Sequence, residues 1–110
     1  MSSAPPSVAR AAFDKMSAKL FGGDVAINMR RGFSNGGLMH AGKLVAILRG
    51  EALLLKLPAQ RVAHLIANHR EASPFDAGKG RPMREWVLVG LEARAQWLKL
   101  TREALEYAQS

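Results

Sequence analysis

Between residues 43 and 57 two apolar runs are separated by only two residues. Lys43-Leu44-Val45-Ala46-Ile47-Leu48-Arg49 reads as a β-branched strand, and Ala52-Leu53-Leu54-Leu55-Lys56-Leu57 as its return. Gly50-Glu51 between them suits a two-residue hairpin loop, with glycine supplying the positive φ that such turns demand. Strand alternation puts Val45 and Ile47 on one face, and gives Leu53, Leu55 and Leu57 a common face. Apolar residues on both faces mark central strands rather than edges. Upstream, Leu38-Met39-His40 runs through Ala41-Gly42 into the first of these strands, which extends the hairpin to a meander. Whatever else the chain forms must be built around this sheet.

The flanking segments read mostly as helices. After Pro5-Pro6-Ser7, with Ser7 as the N-cap, Val8, Ala11, Ala12, Met16 and Leu20 recur every three or four residues. That spacing predicts an amphipathic helix over 8–20, stopped by Gly22-Gly23. Residues 24–31 alternate as a short strand, and Ser34-Asn35-Gly36-Gly37 reads as a turn. Pro58 at a first helical position opens a helix over 58–69. Its buried stripe is expected to be Val62, Leu65, Ile66 and His69, with Gln60, Arg61, His64 and Asn68 facing water. Residues 70–85 read as a long connection, followed by a strand, Trp86-Val87-Leu88-Val89, that Gly90 ends. A last helix is expected from Leu91 to Ala108. Its inner stripe is Leu91, Ala95, Leu98, Leu105 and Ala108, with Trp97 at the margin. Together these predict an α+β fold, a two-layer sandwich of antiparallel sheet and about three helices in an α-β(3)-α-β(2)-α-like order. A chain of 110 residues fits one such domain, over residues 8–110, behind a disordered lead at 1–7.

The sequence carries no cysteine, which excludes disulfides and thiolate metal sites and suits a reducing cytoplasm. The strongly apolar run at 44–48 is far short of the ~20 residues that span a bilayer, so no membrane association is expected. The N-terminal segment lacks the basic and apolar regions of a signal peptide. Net charge is +7, and its distribution is uneven. Residues 1–29 carry three basic and two acidic side chains, residues 30–84 ten and three, and residues 85–110 three and four. Such a positive field can attract nucleic acid or an acidic protein, or can serve solubility alone, as in many small bacterial-type proteins.

Chemistry-bearing patterns are sparse. His64 and His69 are five apart on one helix and diverge, His40 stands elsewhere, and no metal site is expected. No nucleophile elbow is present. Asp76 and Glu85 flank the glycine-rich loop; they could act as an acid/base pair or lining of a small-ligand pocket, or could pair with Arg81 and Arg84. Gly78-Lys79-Gly80-Arg81 lacks the spacing and the strand-to-helix setting of a phosphate loop. It reads either as an anion-binding basic loop or as a connection shaped by glycines. The aromatic residues do not interleave with basic ones along the chain, as they do in stacking platforms for nucleic acid. Trp86 and Trp97 read as core aromatics under the last helix, with a self-association face as the alternative.

The block Phe75-Asp76-Ala77-Gly78-Lys79-Gly80-Arg81-Pro82-Met83-Arg84-Glu85-Trp86-Val87 resembles the TfoX N-terminal domain family, related to the TfoX/Sxy competence regulators. The stretches Gly37-Leu38-Met39-His40-Ala41-Gly42-Lys43 and Leu54-Leu55-Lys56-Leu57-Pro58 fit the same resemblance, which runs from about residue 30 to 107. The family's usual Met-Phe-Gly near the first strand stands here as Arg31-Gly32-Phe33-Ser34-Asn35-Gly36. The resemblance implies an α+β sandwich without catalysis or cofactor. It corresponds to the N-terminal domain alone of regulators that act on transcription with the cyclic-AMP receptor protein. The expected function is therefore a non-enzymatic interaction or regulatory module that binds a protein partner or a second copy of itself as a homodimer. Lys79, Arg81, Arg84, Glu85 and Trp86 form its candidate interaction loop. The alternative is weakly specific nucleic-acid binding through the basic central region.

Overall fold

The computed structural model describes residues 8–21, 28–30, 37–40, 43–76, 80 and 83–110. The expected cap at Ser7, the Gly22-Gly23 stop, the turns at 34–36 and 41–42, and the loop residues Lys79 and Arg81 lie outside them. The elements run α1 (Val8–Phe21), β1 (Asn28–Arg30), β2 (Gly37–His40), β3 (Lys43–Arg49), β4 (Ala52–Lys56), α2 (Ala59–Asn68), β5 (Ala72–Pro74), β6 (Trp86–Val89), a 3₁₀ turn (Leu91–Gln96) and α3 (Trp97–Gln109).

The strands form one antiparallel sheet in the order β1-β2-β3-β4-β6-β5. The α+β sandwich read from the sequence is the fold observed. Four strands precede α2, where the shorthand order had three, because β1 joins the meander. β3 and β4 occupy the middle of the sheet, as their two apolar faces require. Arg49 pairs with Ala52, so Gly50-Glu51 is the whole loop, and Gly50 takes φ 61°.

One cluster holds the helices to the sheet. Phe13, Met16 and Leu20 of α1, Val62 and Leu65 of α2, and Trp97, Leu100, Ala104 and Leu105 of α3 meet Leu48, Leu53, Leu55, Val87 and Val89. Leu53, Leu55 and Leu57 share this face, as alternation predicted. Val45 departs from its expected partnership with Ile47. Leu38 pairs with Ala46 but Met39 with Leu44, which leaves Val45 as the extra residue of a β-bulge. The bulge turns Val45 into the helix-side cluster beside Ala46, while Ile47 stands outside it.

The helices also depart from expectation in phase and ends. Pro58, with φ −55° and ψ 145°, is the N-cap of α2 rather than its first residue, and His69 is its extended C-cap. Because α2 packs at the β5–β6 end of the sheet, only Val62 and Leu65 are buried. Ile66 and His69, expected inside, are exposed, and Arg61, expected in water, is half-buried. The 70–85 connection contains β5. The last helix is two pieces: a 3₁₀ turn with an irregular Ala93 (φ −103°, ψ 21°), then α3. Three residues per turn in the first piece shift the phase of the second. Trp97 is therefore fully buried rather than marginal, Ala95 is exposed, and the inner stripe is Trp97, Leu100, Thr101, Ala104 and Leu105. Trp97 Nε1 donates to the Gly90 carbonyl at 3.3 Å. Among the described residues no helix is long and apolar enough to cross a membrane.

Candidate interaction surface

β6 is the element that places the expected loop residues. Val87 and Val89 point into the helix-side cluster, so alternation turns Trp86 and Leu88 to the opposite, outer face of the sheet. β4 lies beside β6 with Lys56 opposite Trp86 and Leu54 opposite Leu88. β3 lies beyond, with Ile47 opposite Leu54. Ile47, Arg49, Leu54, Lys56, Trp86 and Leu88 thus share the outer face. Among the described residues all the buried apolar helix side chains belong to the cluster on the other side, to which Ile47 and Leu54 do not belong.

The segment entering β6 is tied down by its backbone. Met83 N–H donates to the Phe75 carbonyl at 2.8 Å, Trp86 N–H to the Met83 carbonyl at 3.2 Å, and Leu57 N–H to the Glu85 carbonyl at 2.9 Å. Gly80 has φ 79°, a conformation that favours glycine, so this glycine of the loop shapes the turn. Arg84 is exposed beyond these bonds, and Met83 is 39% exposed. Glu85 is half-buried: Lys56 Nζ lies 4.0 Å from its carboxylate, and the Tyr107 phenol of α3 hydrogen-bonds to it. The hydrogen bond to Glu85, some desolvation and the carboxylate's charge raise the Tyr107 pKa above its ordinary 10. The partners of Glu85 are therefore the Lys56 cation and the Tyr107 phenol.

The fold produces an arrangement that the linear sequence conceals. The Arg49 guanidinium lies 5.3 Å from the centroid of the Phe75 ring, and Lys56 Nζ lies 5.9 Å from that of Trp86. Cations at this range are drawn to the negative faces of the rings. Basic and aromatic residues, which do not interleave along the chain, interleave across β3, β4, β6 and the end of β5. The Lys56–Trp86 pair depends on β6 inserting between β4 and β5, a pairing invisible in any local window. Trp86, read from sequence as a core aromatic, is half-buried on the outer face, whereas Trp97 is the core tryptophan.

Among the described residues no three His, Asp or Glu side chains are grouped to hold a metal ion. His40 sits on β2, His64 approaches Arg61 Nη1 at 3.1 Å, and His69 caps α2, so the three occupy separate places. What the outer face does bring together is aromatic rings and cations. Ile47 and Leu54 are themselves buried, at 5% exposure each, so the side chains this face presents are the half-buried Leu88, Phe75 and Trp86 and the cations Arg49, Lys56 and, on the entering segment, Arg84.

Fold and face together define a class: an α+β two-layer sandwich with helices on one side of the sheet and a cation–aromatic surface on the other. Compared with models of known protein families, with curated proteins and with solved structures, the chain finds no match in any of the three.

Proposed function

We propose that this chain is a non-enzymatic, cytoplasmic regulatory module of the TfoX N-terminal type, which acts by binding a macromolecular partner. Its contact surface is the outer sheet face with the rim at residues 84–86. The observation that carries this reading is the convergence of the Arg49–Phe75 and Lys56–Trp86 pairs on the side of the sheet opposite the helix cluster. The family assignment is supported by agreement between the α+β sandwich that the resemblance implies and the architecture of the chain.

Charge selects among partners. A second copy docked face to face would set Arg49, Lys56 and Arg84 near their own images, and like charges brought together in this way oppose association. An acidic partner, protein or nucleic acid, would instead neutralise the excess that residues 30–84 carry. Titration of ¹⁵N-labelled protein with poly-glutamate, a generic acidic chain, tests the surface. Resonances of Arg49, Lys56, Arg84 and Trp86 should move first, and a Lys56→Glu/Arg84→Glu variant should bind more weakly while keeping its melting temperature within a few degrees. Shifts confined to α1, α2 and α3 would overturn the assignment of the surface.

A further inference from the structure

Resting on that reading of the outer face, we infer that its occupant is a single-stranded nucleic acid, held by base stacking on Phe75 and Trp86 and by phosphate contacts from Arg49, Lys56 and Arg84. Phe75 follows Pro74, and Trp86 precedes Val87, the ladder partner of Pro74. The two aromatic residues therefore flank the same end of the β5–β6 ladder. Two neighbouring bases of an unpaired strand can each find an aromatic face at such a site, because every base offers a π-surface to stack.

The cations are placed to follow the backbone of the same strand. Arg49 is exposed at the hairpin end of β3 and lies over Phe75, while Lys56 lies over Trp86 at the opposite end of β4. Each needs only a side-chain rotation to exchange a ring face for a phosphate oxygen, which uncovers the ring for a base. Lys56 is held in place weakly, by a 4.0 Å approach to a Glu85 carboxylate that is itself 45% exposed. An acidic protein would use the cations but has no general need of the rings. A nucleic-acid duplex keeps its bases stacked within itself and would offer the face only phosphates. Stacking therefore separates a single strand from the other anionic occupants.

The experiment follows the two indole N–H resonances of the ¹⁵N-labelled protein, assigned with Trp86→Phe, during titration with an oligothymidylate of about ten nucleotides, within the range of single-strand site sizes. The Trp86 indole should shift strongly and that of Trp97, which reports the core, should stay. Phe75→Leu keeps an apolar side chain but cannot stack; it should weaken binding about 5- to 150-fold, the loss expected for one base, while Phe75→Tyr should bind as the parent does. Affinity should also fall more than about tenfold between about 50 and 200 mM salt. Equal affinity for a duplex of the same length, or no effect of Phe75→Leu in a protein whose Trp97 resonance is unchanged, would overturn the inference. If poly-glutamate moves the Trp86 signal but the oligothymidylate does not, the single-strand inference fails and the contact surface stands. If neither moves it, both fail.

Discussion

Arg61 of α2 grips Glu103 of α3 through two parallel bonds, Nε to Oε1 at 2.8 Å and Nη2 to Oε2 at 3.1 Å. The pair stands beside a cleft between the two helices lined by Leu65, His69, Lys99 and Leu100, so it joins elements that do not pack closely along their length. Both side chains are about 30% exposed, which leaves the pair partly screened. A double-mutant cycle of Arg61→Ala and Glu103→Ala should show a coupling of about 1 kcal/mol in urea unfolding, smaller in high salt. Arg61→Lys should lose most of it, because an ammonium cannot reproduce the fork. Coupling near zero would mean that α2 is held by Val62 and Leu65 alone.

Trp97 is the largest wholly buried side chain and the point where the 3₁₀ turn hands over to α3. Trp97→Ala should cost about 3–5 kcal/mol, the range for emptying a large aromatic site. Trp97→Phe should cost much less. The Gly90 carbonyl that accepts the indole bond also accepts from Ala93 N–H at 3.1 Å, so it keeps a partner when the indole is removed. Denaturant midpoints of the two variants would check both statements.

The sheet was far more legible in the sequence than the outer surface, for a physical reason. Alternation and a two-residue turn act between neighbours in the chain, so β3, β4 and the Gly50-Glu51 loop could be read directly. The bulge at Val45 was not readable, because it is a property of the pairing with β2 rather than of β3. The phase of α3 was missed because the 3₁₀ turn before it changes the residues per turn, and no local pattern announced Ala93. The cation–aromatic face needed the crossover that puts β6 between β4 and β5. Of the five expected loop residues, Arg84, Glu85 and Trp86 sit together at the entry to β6, with Glu85 turned toward Lys56 and Tyr107.

Thr101 sits fully buried on the inner stripe of α3, and its hydroxyl has no hydrogen-bond partner among the described residues. A buried hydroxyl left unpaired keeps its desolvation cost without compensation. Thr101→Val retains the branched shape and removes the polar atom. It should leave stability unchanged or raise it by up to about 1 kcal/mol, read as a higher urea midpoint with an unchanged m-value. A clear loss of stability would show that the hydroxyl is satisfied in solution.

Tyr107 is the sole tyrosine of the chain, so its phenol can be titrated by ultraviolet absorbance without interference from another. In the folded protein its pKa is raised above 10, first by the hydrogen bond to Glu85, then by desolvation and by repulsion between the carboxylate and the phenolate. A group whose folded pKa exceeds its unfolded value stabilises the fold fully below the unfolded pKa, and that contribution is lost as pH rises through the folded one. The absorbance midpoint should therefore lie above 10 in the native protein and move back toward 10 in Glu85→Ala. The variant keeps the Glu85 carbonyl that accepts from Leu57 N–H, so the register of β6 against β4 should survive. It also removes the carboxylate beside Lys56, which should leave that ammonium freer to bind an external anion. A midpoint that stays put in Glu85→Ala would place the cause of the shift elsewhere on α3, and would separate the phenol from the interaction surface.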